Sequence, residues 1–138
     1  ALDISLGDQP DLQDIPGFYQ NGTGNFWVAV EGGRVVGSIA LKDIGNQRAA
    51  LRKMFVAQSH RGKAFGVAQD LLDTLLGHAR MVGLTDIYLG TTCAFLAAHR
   101  FYEKHGFAVI DAADLPARFP RMAVDTRFYR LPVGAAKP

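Results

Sequence analysis

Apolar and polar positions recur with two different periods along this chain. Asn25–Glu31 (NFWVAVE) and Arg34–Leu41 (RVVGSIAL) are rich in aromatic and β-branched residues, the make-up of half-buried strands. Gly32-Gly33 lies between them and supplies two residues that take positive φ, so a hairpin is predicted. After a turn at Asp43–Asn46, the segment Ala49–Val56 keeps a period of two. Leu51, Lys53 and Phe55 are expected on one face, and Arg52, Met54 and Val56 on the other. From about Ala64 to Val82 the period becomes helical. Ala68, Leu71, Leu72, Leu75, Ala79 and Val82 share one face; Gln69, Asp70, Asp73, Gly77 and Arg80 share the opposite one. Gly83 stands where a helix terminator belongs.

Shorter elements follow. Asp86–Gly90 reads as a strand, and Ala94–His105 as a helix capped by Thr91 or Thr92 and ended by Gly106. Phe107–Asp111 is a further strand. Ala112–Ala123, with Pro116 and Pro120, is a loop with room for one helical turn, and Asp125–Leu131 is the last strand. Residues 1–24 are rich in Gly, Asp, Gln and Pro, and allow only a short helix over Asp11–Tyr19, interrupted at Pro16-Gly17. The order helix–β–β–β–α–β–α–β–β predicts an α/β (α+β) fold with a mixed, mostly antiparallel central sheet and flanking helices. Residues 1–138 read as one domain.

Composition narrows the function classes. A single cysteine excludes an internal disulfide framework and suits a reducing compartment, so a cytoplasmic location is expected. No apolar run reaches the roughly 20 residues of a membrane span, which argues against a membrane partner. A net charge of +2, with the basic residues scattered, argues against nucleic acid. His60, His78, His99 and His105 lack metal-ligand spacing, so no metal is expected. Cys93 and Phe26-Trp27 read as packing residues, and Arg118, Arg121 and Arg127 as solvated arginines that could alternatively meet an acidic acceptor group.

The richest chemistry lies in Leu51–Gly83, where a strand leads through Arg61-Gly62-Lys63 into the long helix. A helix start presents unpaired N–H groups and about half a positive charge, a setting for phosphate. The segment GKAFGVA lacks the Lys-Ser/Thr pair of a nucleotide-triphosphate loop. Taken alone, it is equally an exposed basic loop before a core helix.

Two motifs together carry a resemblance. Arg61-Gly62-Lys63-Ala64-Phe65-Gly66 opens the long helix, and Phe101-Tyr102-Glu103-Lys104-His105-Gly106-Phe107 closes the next one. In that order and on those elements, they resemble the GNAT-type N-acetyltransferases, which use acetyl-coenzyme A. Ala64 replaces the middle glycine of the signature, and Phe95 stands where many relatives carry a cofactor-touching Asn. The chain also leaves no room for the strand and helix with which the family usually begins.

The resemblance implies a GNAT-like fold and transfer of an acetyl group from acetyl-coenzyme A to a small-molecule amine. The cofactor's pyrophosphate would rest on the backbone of Arg61, Gly62, Lys63, Ala64, Phe65, Gly66, Val67 and Ala68. Its pantetheine arm would run beside Met54, Phe55 and Val56. Tyr102 would be the general acid. The base is open among His99, Glu103, Asp43 and water. A homodimer is compatible with the family, and a non-catalytic acyl-coenzyme A sensor is the alternative.

Overall fold

The computed structural model describes residues 3–6, 22–57, 59, 66–92 and 96–134. Seven strands form one sheet: β1 (Asp3–Leu6), β2 (Asn25–Glu31), β3 (Arg34–Asp43), β4 (Arg48–Val56), β5 (Asp86–Thr91), β6 (Ala108–Ile110) and β7 (Arg127–Pro132). Among the described residues two α-helices accompany them, α1 (Val67–Met81) and α2 (Leu96–Lys104). The spatial order is β1-β2-β3-β4-β5-β7-β6. Every ladder is antiparallel except β4 with β5, which is parallel because α1 carries the chain back across the sheet.

The hairpin forms as expected, with Gly32 at φ 57° and Gly33 at φ 78° matching the twist of β2 and β3. β1 corrects one expectation. A strand does stand ahead of β2 and pairs with it from Asp3↔Val30 to Leu6↔Trp27. Its four residues, DISL, are too few to show a period in the sequence. The helix expected over Asp11–Tyr19 lies outside the described residues.

The face of α1 holds in outline: Leu71, Leu72, Leu75 and Ala79 are buried, together with Val67 and Leu76. They pack on Trp27, Ile39, Leu41 and Leu51, with Tyr102, Phe107 and Tyr129 completing the same core. The other face of the sheet carries two smaller clusters, one around Phe26 and Val28 and one around Ile44, Ala50 and Tyr88. Both helices end in the same device. Gly83 N–H donates to the Arg80 carbonyl and Leu84 N–H to that of Ala79. In α2, Gly106 N–H donates to the Glu103 carbonyl and Phe107 N–H to that of Tyr102, both at 3.1 Å. These are the paired bonds of a Schellman turn, and both glycines have the positive φ it requires. The FYEKHGF motif is therefore a helix-ending unit, in which Phe107 closes back on Tyr102 with ring centroids 5.5 Å apart.

Strand β4 departs from simple alternation. Ser38 faces Phe55 and Ala40 faces Arg52, so two steps on β3 oppose three on β4. The extra residue is a β-bulge centred on Lys53, which sits at φ 55°. A non-glycine residue in that region costs on the order of 1–2 kcal/mol. The buried Ser38 hydroxyl holds it there, donating to the Lys53 carbonyl at 2.6 Å. The expected facing is corrected accordingly. Leu51 belongs to the main core, but after the bulge Met54 and Val56 pack against that same core. Arg52 and Lys53 are both left on the opposite side.

Asp43 closes the β3–β4 turn. Its Oδ2 accepts from Thr23 N–H at 3.0 Å and its Oδ1 from Gly45 N–H at 2.8 Å. Burial pushes its pKa up, but these amides and the Arg118 charge outweigh that and leave it below the ordinary carboxylate value. A depressed pKa contributes stability that is present above the unfolded value near ~3.9 and is lost as pH falls through the folded value. Asp43→Asn is therefore expected to cost about 1 kcal/mol at pH 7 and nothing near pH 2. Urea midpoints at the two pH values check this, and an equal gap at both would contradict it.

Candidate functional site

The sheet opens along one line. β4 and β5 pair only at Arg48↔Asp86, Ala49↔Ile87 and Ala50↔Tyr88. Beyond Ala50, β4 stays on β3 while β5 stays on β7, so the strand ends diverge around an opening. The bulge at Lys53 sits at the mouth of this divergence. It adds twist to β4 where the two strands separate.

The start of α1 lies against the same region. A Cβ added at Gly37 would meet the Phe55 carbonyl at 2.9 Å and Val67 Cγ1 at 2.9 Å. Only glycine lets the first helical residue and the end of β4 approach this closely. The side chain of Val67 is buried, so the helix start can offer a ligand its backbone N–H groups but not that side chain. Gly66, at φ 64°, is the N-cap and provides no side-chain cap. Of the expected donor-binding residues, Met54, Phe55, Val56, Gly66, Val67 and Ala68 therefore border one region. Arg61, Gly62, Lys63, Ala64 and Phe65 lie outside the described residues, as do His60, Cys93 and Phe95.

Tyr102 projects from α2 into the core. Its ring lies 6.0 Å from that of Tyr129, whose register partner on β5 is Leu89. Leu89 is the first β5 residue past the end of the parallel ladder, so Tyr102 stands over the level at which the sheet opens. Burial in apolar surroundings, reinforced by Tyr129, pushes its phenol well above the ordinary tyrosine value. Tyr102 is therefore protonated throughout the physiological range.

The base candidates are engaged elsewhere. His99 is 3% exposed, with Nε2 2.7 Å from the Thr92 carbonyl and Nδ1 3.3 Å from Arg127 Nη1. Arginine only donates, so Nδ1 accepts and the proton on Nε2 goes to Thr92. Glu103 Oε2 accepts from the Tyr129 hydroxyl at 2.6 Å and lies 3.8 Å from Arg127 Nη2. Burial and that bond to Glu103 push the Tyr129 phenol up to about 12. Asp43 is held in its turn. Among the other arginines, Arg121 stacks 5.1 Å from the Phe128 ring. Among the described residues, no group of three or more His, Cys, Asp or Glu is placed to hold a metal. No helix there is long and apolar enough to cross a membrane.

A cleft of about 180 Å³ lies on the side of the sheet opposite α1. Leu51, Arg52 and Lys53 of β4 form one wall, Gly90 of β5 the floor, and Phe119, Pro120, Met122 and Asp125 the other wall. The floor must be bare, because a Cβ at Gly90 would fall 2.7 Å from Asp125 Oδ2 and 3.1 Å from Phe128 Cε1. Asp125 is fixed by the Met122 N–H, which donates to its Oδ2 at 3.0 Å. Sequence reasoning missed Asp125 and Gly90 because nothing local marks them; the β6–β7 loop brings Asp125 to the end of β5.

A family model described as "Acetyltransferase (GNAT) family" matches residues 4–107. The N-acetylaspartate synthetase of Xenopus tropicalis is 41% identical over 101 residues, taking in 70% of this chain and 36% of that protein. This chain spans less than half the length of the curated relatives it matches. A GNAT-family acetyltransferase structure from Staphylococcus aureus Mu50 superposes with a TM-score of 0.91 at 31% identity, covering 97% of this chain and all of that one. The fold is shared with the PaiA N-acetyltransferase of Thermoplasma acidophilum, solved in complex with coenzyme A, at a TM-score of 0.65 and 20% identity over 79% of this chain and 60% of that one.

Proposed function

This chain belongs to the GNAT acetyltransferase family, and from that premise we propose that it transfers an acetyl group from acetyl-coenzyme A to the amine of a small acceptor. The observation that carries this reading is the divergence of β4 from β5 beside the start of α1, with Tyr102 standing over it. An extended chain bearing amides fits between strands that separate in this way, gripped by main-chain bonds while side chains need only be compatible. Met54, Phe55 and Val56 border that path, and the α1 start with the preceding Arg61–Phe65 segment receives the phosphates. The thioester supplies an activated acetyl group once the donor is bound.

The residues then position and protonate. The amine nitrogen bonds to the thioester carbon, the carbon–sulfur bond breaks, and the nitrogen gives its proton to water. Tyr102 supplies a proton to the departing sulfur and is reprotonated from solvent. Burial keeps the phenol protonated, and the same dry surroundings disfavour a free thiolate, which favours moving a proton onto the departing sulfur. Holding amine and thioester together supplies much of the remaining rate gain. Relatives named N-acetylaspartate synthetase support an amino-acid-like acceptor.

Thiol release from acetyl-coenzyme A over a panel of small amines and amino acids, run beside calorimetry, tests the reading. Turnover on one acceptor supports the transferase, and tight binding without turnover on any points to the sensing alternative. Replacing both Arg61 and Lys63 by alanine is expected to weaken acetyl-coenzyme A binding about tenfold at low salt, and less at high salt. An unchanged Kd would remove the phosphate assignment from that loop.

A further inference from the structure

Resting on the transferase reading, we propose that Arg52 and Lys53 together hold a carboxylate of the acceptor, which makes the acceptor a small zwitterionic amine. Consecutive residues of a regular strand point to opposite faces, so neighbouring cations ordinarily cannot share one ligand. The bulge removes that restriction. Leu51 on one side of it and Met54 on the other both pack into the main core, so Arg52 and Lys53 emerge together on the cleft side. Both line the cleft. Arg52 reaches the far wall of the cleft through long contacts from Nη1 to the Pro120 carbonyl and from Nη2 to Met122 Sδ, each 3.4 Å.

The rest of the cleft fits such a ligand. Asp125, on the far wall, is a carboxylate fixed by a backbone N–H, so the cleft is cationic on one side and anionic on the other. That polarity suits a molecule carrying a carboxylate and an ammonium. Phe119 and Pro120 accommodate a short apolar stem. At about 180 Å³ the cleft is smaller than the roughly 300–1,000 Å³ typical of drug-sized ligands. A cation pair that has lost its carboxylate partner also discriminates against uncharged analogues, because its desolvation is then uncompensated.

The test pairs acceptors that differ by one charge: glycine with glycinamide, and aspartate with asparagine. It compares wild type with Arg52→Gln, Lys53→Gln and Lys53→Asn, the last because asparagine tolerates the left-handed backbone at this position. Wild type is expected to favour the acid over the amide in kcat/KM by about tenfold or more in at least one pair. The variants are expected to lower kcat/KM for that acid about 10- to 100-fold through KM, collapsing the acid-to-amide ratio while the acetyl-coenzyme A Kd holds. Equal use of acid and amide by wild type, or equal losses on both in the variants, overturns the proposal. A change confined to the acetyl-coenzyme A Kd also overturns it, by assigning the cations to the donor's phosphates. If acetyl-coenzyme A binds but no amine is acetylated, the transferase reading fails separately. The cation site is then judged by calorimetry of the acid and amide pairs on the coenzyme A-loaded protein, where equal affinities overturn it.

Discussion

Tyr102→Phe is expected to cut turnover by about 10²- to 10⁴-fold while leaving acetyl-coenzyme A affinity within about twofold. The substitution removes one hydroxyl and keeps the ring. Contacts to Phe101, Phe107 and Tyr129 depend on the ring, as does the side chain's place in the Schellman turn. Thermal stability should therefore stay close to wild type, and the loss should fall on kcat. Because burial holds the phenol above the ordinary tyrosine pKa, wild-type activity should show no alkaline limb from Tyr102 below about pH 10. Stopped assays of thiol release across pH, beside calorimetry of the donor, check both statements. Turnover within a few-fold of wild type would make Tyr102 a packing residue only.

The second large effect is on stability. Phe107→Ala is expected to cost about 3–5 kcal/mol, as aromatic truncations in cores do. For a chain of this size that corresponds to a fall in Tm of roughly 10–20 °C. Phe107 is 3% exposed and contacts Tyr102 across the end of α2. Alanine keeps the backbone N–H that caps the helix but removes the ring that fixes the tyrosine. Turnover of the variant, measured below its own melting transition, should therefore fall more than its affinity for acetyl-coenzyme A. Phe107→Leu fills much of the same space and should recover most of the lost stability. A Tm within about 3 °C of wild type for Phe107→Ala would mean that the turn does not depend on this contact.

The parts of this protein that are legible in the sequence are those whose signals are local. Gly32-Gly33 marks the hairpin, the apolar spacing of Leu71, Leu72 and Leu75 marks the buried face of α1, and Gly83 and Gly106 mark the helix ends. The FYEKHGF segment stands out because a Schellman turn with its hydrophobic pair needs those residue types at those intervals. The parts that escape depend on a partner distant in the chain. The bulge at Lys53 exists only in register against Ser38 and Ala40, so strict alternation assigns Lys53, Met54 and Val56 to the wrong faces. β1 is too short to carry a period, and its partner begins nineteen residues after it ends. Among candidate site residues, Tyr102 and the end of β4 lie on the helix and strand that their local patterns assign. Asp125 and Gly90 acquire a role only when the β6–β7 loop folds over the sheet. His99 and Glu103, open as bases in the sequence, are drawn off by Thr92, Arg127 and Tyr129, which no spacing rule could pair with them.

The three register pairs between β4 and β5 also bear on the mechanics of the molecule. With the Thr85 N–H bond to the Gln47 carbonyl, they are the main-chain seam among the described residues that joins one half-sheet, β1 to β4, with the other, β5 to β7. A seam this short is where two otherwise well-laced blocks part most cheaply, and a ligand lodged between the diverging strands ties both blocks at once. Occupancy there adds stability by mass action in proportion to how tightly each block is gripped. On the transferase reading, a donor bound in this opening holds the two blocks together, so that binding and stability are linked.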